Sequence, residues 1–294
     1  MTPLRLATRG SPLALWQARW VAARLVHVHP GLRVVVVPLV STGDRDRVTA
    51  LYASENVGMF VREIQEAVLA GHCDAGVHSC KDLPTTLPAG LQLAAIPGRG
   101  DARDCLLGAA SLAALPPGAR VGTSSLRRQY QLAHLRPDLR FEPLRGNVET
   151  RLGRIAGRSL DATLLACAGL ARLGLLRRAR AVALAVTQLV PAPAQGAVAV
   201  DCRATDTRTR RLLAAITDRD AATAIAIERQ VLAAFAGGCS LPLGCYAQRQ
   251  RGRWSVVGRL STESAAVDGS YLGPAAGAAA AIIAQLRAER SDAR

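Results

Sequence analysis

One pattern occurs twice in this sequence and restricts its fold more than any other feature: a strand, a capped turn, a helix and a second strand. In the first copy, residues 4–8 are typical of a short strand, and Ser11 followed by Pro12 is typical of a helix start. Residues 32–40 are then an almost continuous β-branched run, which predicts a buried parallel strand. A similar succession follows over 119–144. The repetition predicts two α/β lobes of similar design.

The second copy matches the first element by element. Residues 119–122 predict a strand, 126–135 a helix and 139–144 another strand. Each helix is followed by a proline-containing stop, His29-Pro30-Gly31 in the first copy and Arg136-Pro137-Asp138 in the second. Parallel β-α-β units place strand C-termini and helix N-termini at one edge of the sheet. Two such lobes facing each other would therefore enclose a cleft.

The rest of the chain completes the predicted organisation. Residues 189–196 are typical of a hinge, and 197–201 of a strand that could return to the first sheet. From residue 218 the pattern changes and indicates a smaller domain, with a helix ending at Phe235, strands such as 254–260 and an Ala-rich helix over 275–286. Earlier segments predict a polar lid loop over 41–56, an amphipathic helix over 60–69 and strands over 74–79 and 161–166. The predicted fold class is α/β, with two lobes and a cleft plus a small α+β C-terminal domain.

The charge of the chain points to anionic ligands. Its 37 basic residues against 22 acidic ones give a formal net charge of +15, which favours nucleic acid, anionic lipid or a small polycarboxylate. Nucleic acid is the weaker alternative, because only 3% of residues are aromatic and no basic helix or known module is present. Lys81 is the sole lysine of the sequence, and lysine and arginine are not equivalent at a tight site.

The cysteines and the N-terminal segment indicate in which cellular compartment we expect the protein. Seven cysteines include no CxxC pair, and Arg5, Arg9 and Arg19 interrupt any apolar signal core. No apolar run approaches about 18 residues, so we expect no membrane segment. We therefore expect a cytoplasmic protein with reduced thiols. The residues His72, Cys73, His78 and Cys80 match no standard zinc spacing, so we expect no metal site.

Several side chains fall where α/β proteins bind ligands. Helix N-termini favour negative charge, and arginine forks bind carboxylates bidentately. A solvated arginine face is the alternative for any one of these residues, but their concentration at strand ends and helix starts favours an anion site. The residues of this candidate site are Arg9, Ser11, Ser125, Arg127, Arg128, Arg145 and Arg151.

Two further positions could carry chemistry. Asp82 follows Lys81 at a predicted strand end, where a carboxylate could hold a developing cation or a pyrrole-like N–H; an ordinary surface pair is the alternative. Cys239 follows two glycines after a predicted helix, so its thiol could serve as a nucleophile, although an indifferent cysteine at a helix end is as consistent with the local pattern. Cys245 is a rival thiol.

Taken together, these segments resemble the hydroxymethylbilane synthase (porphobilinogen deaminase) family over residues 4 to about 248. The phrases that carry the resemblance occur in the family's order and are ATRGSPLALWQA (7–18), HSCKDLP (78–84), VGTSSLRRQ (121–129), LRGNVETRL (144–152), LLACAGLARLGL (164–175), PAPAQGAV (191–198) and GGCSLPLG (237–244).

The resemblance implies a transferase of tetrapyrrole biosynthesis. Such an enzyme condenses four porphobilinogen molecules head to tail, releases ammonia and hydrolyses off the linear hydroxymethylbilane. It implies two lobes similar to periplasmic binding proteins, residues 1–97 with 197–216 and residues 98–196. A C-terminal domain, 217–294, would present a dipyrromethane cofactor bound through the sulfur of Cys239. Porphobilinogen and oligopyrrole intermediates would be the partners of a cytoplasmic monomer that binds neither nucleic acid nor membrane.

The resemblance also implies roles for single residues. Asp82 matches the catalytic carboxylate. The positions that match cofactor-binding residues are Lys81, Thr123, Ser124, Ser125, Arg127, Arg128 and Gly146. The positions that match residues holding the substrate or growing chain are Arg9, Ser11, Arg145 and Arg151, with Gln17 and Phe60 in supporting roles. Val57 departs from the family, since a lysine is usual there.

A non-enzymatic two-lobe protein that binds anions is the alternative to this function. Such a protein would share the lobes but would need neither Cys239 nor Asp82.

Overall fold

A computed structural model describes residues 2–39, 61–235 and 241–292. By their contacts these residues form two compact units. Unit 1 contains residues 2–39, 61–99 and 197–222, and unit 2 contains residues 100–196, 223–235 and 241–292. The division into three domains made from the sequence stays a prediction.

Unit 1 is built on a mixed sheet in the order β2-β1-β3-β10-β4. Strand β1 pairs in parallel with β2 and β3, whereas β10 is antiparallel to both β3 and β4. The predicted return of the chain to the first sheet is thus confirmed. The elements of unit 1 are β1 (Leu4–Arg9), α1 (Pro12–Val28), β2 (Val34–Leu39), α2 (Arg62–Leu69), β3 (Ala75–Ser79), β4 (Leu91–Arg99), β10 (Ala197–Arg203) and α6 (Thr207–Ala214).

Helix α1 shows why the first repeat folds as predicted. Ser11 is its N-cap and accepts a hydrogen bond from the Ala14 N–H at 3.3 Å, while Pro12 occupies the first helical turn. Val21 and Leu25 lie on its buried face and pack against Leu6 of β1. Each such side chain contributes about 1.5–3 kcal/mol by leaving water.

Strand β2 is parallel, as predicted, but it is not a buried strand. It lies at the edge of the sheet, and Val35 remains 43% exposed. Pro38 explains the position, because a residue without a backbone N–H is tolerated at an edge and not in the middle of a sheet. The prediction of burial was therefore wrong for this strand.

Unit 2 contains a second mixed sheet, in the order β7-β6-β8-β5-β9. Strand β6 is parallel to β7 and β8, and β5 is antiparallel to β8 and β9. The elements of this part are β5 (Asp104–Leu107), β6 (Arg120–Gly122), α3 (Leu126–Leu135), β7 (Arg140–Glu142), α4 (Val148–Ala156), β8 (Ala162–Ala166), α5 (Cys167–Arg172) and β9 (Val182–Ala183).

The two sheets share their topology, and one hydrogen-bonded pair is repeated in both. In unit 1 the backbone N–H of Arg5 donates to Asp74 at 2.7 Å, and in unit 2 that of Arg120 donates to Asp161 at 2.7 Å. Burial alone would raise the pKa of Asp74, but the hydrogen bonds from Arg5 hold it below its ordinary value. The shared sheet topology and this repeated pair confirm the predicted duplication of the α/β unit.

A third sheet follows in the C-terminal part of unit 2. Its strands are antiparallel in the order β11-β12-β13, and the last helix packs on them. At Gly258 of β12 an added Cβ would lie 2.7 Å from Ile282, so the glycine permits this close packing. The elements are α7 (Arg219–Ala234), β11 (Leu243–Gln250), β12 (Arg253–Ser261), β13 (Ala266–Gly273) and α8 (Ala278–Asp292). The predicted fold class, α/β with a small α+β part, is confirmed.

The expectation of reduced thiols is wrong for one pair of cysteines. Cys105 of β5 and Cys167 at the start of α5 form a disulfide. Strand β5 pairs with β8, whose last residue precedes Cys167, and this register brings the two Cα atoms within 5.3 Å. Their separation of 62 residues offered no sequence signal. In the described ranges, no helix is both long and apolar enough to cross a membrane.

Candidate functional site

A recess in unit 1 brings together several residues that the sequence singled out. Strand β3 ends in a short 3-10 turn, Cys80–Asp82, which carries Lys81 and Asp82 out of the sheet. The strand end of β1 and the start of α1 contribute the opposite side. The polar residues lining the recess are Arg9, Ser11, Gln17, His78, Ser79 and Asp82. Backbone topology thus places a carboxylate beside a guanidinium and a helix N-terminus, as a site for a charged ligand requires.

Gln17 fixes one wall of this recess. Its side chain is buried, and its Nε2 donates a hydrogen bond of 2.9 Å to the Ser79 hydroxyl. Ser79 precedes the turn that carries Asp82. Gln17 therefore supports the recess by holding the end of β3 against α1.

A buried histidine–aspartate pair lies at the same recess, which His78 also lines. The Nε2 atom of His78 is 3.2 Å from the Asp201 carboxylate, and Gln65 donates to the other oxygen of that carboxylate at 3.1 Å. Gly76 leaves the space for this pair, because an added Cβ would lie 2.7 Å from His78 Nε2. Neither Asp201 nor Gln65 was singled out from the sequence.

In unit 2, the loop before α3 carries three hydroxyl side chains with different partners. Thr123 accepts a hydrogen bond from the Ser125 N–H at 3.2 Å. Ser124 accepts from the Leu144 N–H at 3.0 Å, which ties this loop to the segment that contains Gly146. Ser125 is the N-cap of α3, but its side chain makes no capping hydrogen bond. Its hydroxyl and the first-turn N–H groups therefore suit an anion.

The two arginines that open α3 are buried and held by one carboxylate. Asp104 of β5 accepts from Arg127 at 2.9 Å and from Arg128 at 2.6 Å and 3.0 Å. Burial lowers the pKa of Arg127, against the opposing effect of Asp104. Two cations and one carboxylate leave a surplus of positive charge in this buried cluster. Asp104 was not singled out from the sequence, because an aspartate between an arginine and a cysteine matches no motif.

The segment over 145–151, which ends in the first turn of α4, adds cations to unit 2. Among the described residues, Nη2 of Arg145 is buried and has no hydrogen-bond partner. Gly146 has φ +104°, and an added Cβ would lie 2.7 Å from Thr150, so only glycine fits this turn. Arg151 donates to the Gly146 carbonyl at 3.0 Å. A buried guanidinium nitrogen without a partner is costly, and a ligand carboxylate would satisfy it.

Arg172 of α5 is a cation that the sequence analysis did not single out. Its Nη2 donates to the Gly196 carbonyl at 2.6 Å. Burial lowers the pKa of Arg172 to about 10. The surrounding phrase LLACAGLARLGL was noted from the sequence, but in a chain so rich in arginine nothing set this one apart.

The remaining sequence predictions have different outcomes. Cys239, Phe60, Val57 and the lid loop over 41–56 lie outside the described residues. The rival thiol, Cys245, is fully buried in the hydrophobic core of the third sheet. Within the parts of the chain that are described, no group of three or more His, Cys, Asp or Glu side chains could hold a metal ion.

Comparison with known proteins gives strong matches. The family model "Porphobilinogen deaminase, dipyromethane cofactor binding domain" matches residues 4–211. A porphobilinogen deaminase of Syntrophotalea carbinolica is 47% identical over 271 residues, 92% of this chain and 84% of that protein. One of Xanthomonas euvesicatoria is 50% identical over 260 residues, 88% and 84% of the two chains.

Among solved structures, the L-cystine solute receptor of Neisseria gonorrhoeae in the unliganded open conformation matches 73% of this chain and 85% of its own, with 16% identity and a TM-score of 0.44.

The family model covers most of the chain, and both relatives match it over 84% of their own length at about half identity. The chain belongs to the porphobilinogen deaminase family.

Proposed function

We propose that this chain condenses four porphobilinogen molecules head to tail on a dipyrromethane primer bound through Cys239, releases ammonia, and then hydrolyses off linear hydroxymethylbilane. Family membership supports the activity and the cofactor. The observation that carries the assignment of residues is the recess of unit 1, where Asp82 lies with Arg9, Ser11 and Gln17. Nothing in the geometry favours the non-enzymatic alternative.

The residues of unit 2 fit a ligand that bears several carboxylates. The cluster of Arg127, Arg128 and Asp104 is short of one negative charge, and Arg145 has a buried nitrogen without a partner. The Ser125 hydroxyl and the N-terminus of α3 lie beside these arginines. We assign the acid side chains of the dipyrromethane to these groups, together with Lys81, Thr123, Ser124 and Gly146. When bound, the dipyrromethane supplies the free pyrrole position to which the first substrate is joined.

Asp82 has the central chemical role in this proposal. When the protonated amino group of porphobilinogen leaves as ammonia with the electron pair of its C–N bond, the pyrrole nitrogen shares the positive charge that remains. A carboxylate held in place stabilises such a cation and accepts a hydrogen bond from the pyrrole N–H. The position of Asp82 in the 3-10 turn after β3, where it lines the recess, supports this role.

The arginines hold the substrate and the growing chain. Each added pyrrole brings two carboxylates, so the negative charge of the bound chain increases with every cycle. Arg9 and Ser11 of unit 1 and Arg145 and Arg151 of unit 2 would bind these carboxylates, with Phe60 in a supporting role. Guanidinium groups suit this task because they remain charged and bind carboxylates through two parallel hydrogen bonds.

The same proposal includes the organisation and location of the protein. Residues 1–97 with 197–216 and residues 98–196 would be the two substrate-binding lobes, and 217–294 the domain that anchors the cofactor. We propose a cytoplasmic monomer that binds neither nucleic acid nor membrane. Size-exclusion chromatography with light scattering and fractionation of the source cells test these two points.

Mass spectrometry of the intact protein tests the attachment. We expect the wild-type protein to carry the added mass of a dipyrromethane and the Cys239→Ser variant to lack it. Cys245→Ser is the matched control and should keep the added mass, because Cys245 is buried in the core of the third sheet. Loss of the mass from Cys245→Ser alone, or an active wild-type protein without it, would contradict the proposal.

The role of Asp82 is tested separately. We expect Asp82→Asn to lower kcat for bilane formation by roughly 10²–10⁴-fold, as removal of a preorganised charge does in other enzymes. The thermal stability of this variant should stay close to that of wild type, because the side chain is partly exposed. A folded, cofactor-loaded Asp82→Asn variant with wild-type kcat would remove Asp82 from the mechanism.

A further inference from the structure

Asp104 stands out in unit 2 because it is completely buried and yet belongs to no sequence motif. It is the first residue of β5, a strand with a neighbour on each side, β8 and β9. Both of its carboxylate oxygens are used: one accepts from Arg127 and the other accepts twice from Arg128. A charge at such a position is kept only where its partners are fixed with good geometry.

Without Asp104, the positions of the two arginines would be electrostatically unfavourable. They lie in the first turn of α3, where the helix dipole favours negative charge, and this turn contains no acidic residue. Both side chains are less than a tenth exposed, so water cannot compensate for their charge. Two cations against one carboxylate leave a net charge of one positive unit. Among the described residues, one further negative group would therefore neutralise the cluster, and a neutral group would not.

The hydrogen bonds of the cluster also leave donors for such a group. Each guanidinium has five N–H donors. Contacts with described residues use two of them on Arg127, to Asp104 and the Val190 carbonyl, and three on Arg128, to Asp104 and the Leu164 carbonyl. The other five of the ten N–H donors make no hydrogen bond to a described residue. Asp104 thus accepts hydrogen bonds from some N–H groups of each guanidinium, and an anion would accept from the others.

We propose that Asp104 is a positioning residue for cofactor binding: it holds Arg127 and Arg128 in place and limits their combined charge to the single surplus that one carboxylate of the dipyrromethane neutralises. This inference rests on the proposed function, because it takes Arg127 and Arg128 as ligands of the cofactor. Asp104 acts through the two arginines and does not itself contact the cofactor. A carboxylate is required, since an amide of the same shape neither neutralises a guanidinium nor accepts as strongly from it.

The experiment uses the full-length chain, produced without the cofactor and then supplied with porphobilinogen. Appearance of the dipyrromethane mass is followed over time for wild type and Asp104→Asn. We expect loading of Asp104→Asn to be slower by roughly tenfold or more, because the guanidiniums lose their fixed orientation. Once loaded, the variant should show a lower kcat per loaded molecule with a KM for porphobilinogen within about twofold of wild type, since the recess of unit 1 with Arg9, Ser11 and Asp82 is unchanged.

Asp161→Asn is the matched control. Asp161 also accepts hydrogen bonds from an arginine in unit 2, but it and Arg120 are each more than a third exposed. We expect this variant to load at the wild-type rate. If Asp104→Asn does not give a folded protein by circular dichroism, Asp104→Glu takes its place, and it should load faster than Asp104→Gln because it keeps the charge.

Arg128→Gln and the double variant test whether Asp104 acts through its partner. If it does, removing Asp104 from the Arg128→Gln protein should slow loading by much less than removing it from wild type. Loading of folded Asp104→Asn within about twofold of wild type, or additive effects in the double variant, would overturn the inference. Failure of the proposed function itself is distinct, because wild type would then acquire no dipyrromethane mass at all.

Discussion

At the scale of single residues, the polar groups proposed to face a ligand differ from the polar groups that support them. Asp82 and Ser125 belong to the first kind. His78, Asp201 and Gln65 belong to the second, because they are buried and are held to one another at the wall of the recess of unit 1. Sequence motifs find residues of the first kind more easily, since residues of the second kind come from distant segments, such as β3 and β10, that only the fold brings together.

Gly76 provides a residue-scale prediction. An alanine Cβ at this position would contact the Asp201 carboxylate and lie 2.7 Å from His78 Nε2 and 2.8 Å from Ile64. We expect Gly76→Ala to lower the free energy of unfolding by about 1–3 kcal/mol, as overpacking does in a buried core. Urea denaturation measures the change. Gly153→Ala on α4, where an added Cβ meets nothing within 4 Å, should be neutral or stabilising, and equal effects of the two changes would refute this account.

Prediction from sequence succeeded for some single residues and failed for others. Ser11 as the N-cap of α1 was predicted correctly because capping is a local rule with a clear residue preference. Asp104 and the Cys105–Cys167 disulfide were missed because their partners lie 23 to 62 residues away. Cys239 and Phe60 stay predictions, since they lie outside the described residues.

At the scale of elements, the periodicity of apolar residues predicted where helices begin and end better than it predicted whether a strand is buried. Helix α3 has the predicted bounds, Leu126–Leu135. Both its apolar spacing and the proline-containing segment that ends it are local features of the sequence. The valines of β2 matched a central strand equally well, and only the strand order shows that β2 is at an edge. The number of neighbours of a strand is a property of the topology, which a local pattern does not contain.

Helix α7 provides the prediction at this scale, because one of its residues joins three segments of unit 2. Glu228 is fully buried, and its two carboxylate oxygens accept from Ala194 of the hinge at 2.6 Å and from Ala247 of β11 at 2.7 Å. In Glu228→Gln one oxygen becomes an NH₂ group that faces an N–H donor. We expect a loss of about 1–3 kcal/mol in the free energy of unfolding, measured by urea denaturation.

Glu66→Gln is the control for this change. Glu66 is 58% exposed and pairs only with Arg62 of the same helix among the ion pairs of the described chain, so its loss should cost less than about 0.5 kcal/mol. If Glu228→Gln were as stable as Glu66→Gln, the buried carboxylate would not join these segments in the way the distances indicate.

At the scale of the whole molecule, the surplus of basic residues should influence how substrate is captured. The chain carries a net charge of +15, and its substrate is an acid with two carboxylates. Long-range attraction of this kind is screened by salt, with a Debye length of about 30 Å at 0.01 M and about 10 Å at 0.1 M ionic strength. Local arginine contacts are screened less than the overall field.

We therefore expect the KM for porphobilinogen to rise by roughly twofold to tenfold between 0.01 M and 0.2 M ionic strength, with kcat changing little. Initial rates of bilane formation in buffers of constant pH, adjusted with potassium chloride, measure this. A KM that stays constant over the series would show that the overall charge has no part in capturing the substrate.

The position of β10 has a consequence for how the protein is made. This strand lies between β3 and β4 in the sheet of unit 1, although residue 197 is almost a hundred positions beyond the end of β4. A nascent chain leaving the ribosome cannot complete its first sheet until residues 197–203 have emerged. From the synthesis of β4 until that point, β3 and β4 would each lack a partner on one side, a state open to mispairing. The sheet that is begun first is thus completed only after the five-stranded sheet of unit 2.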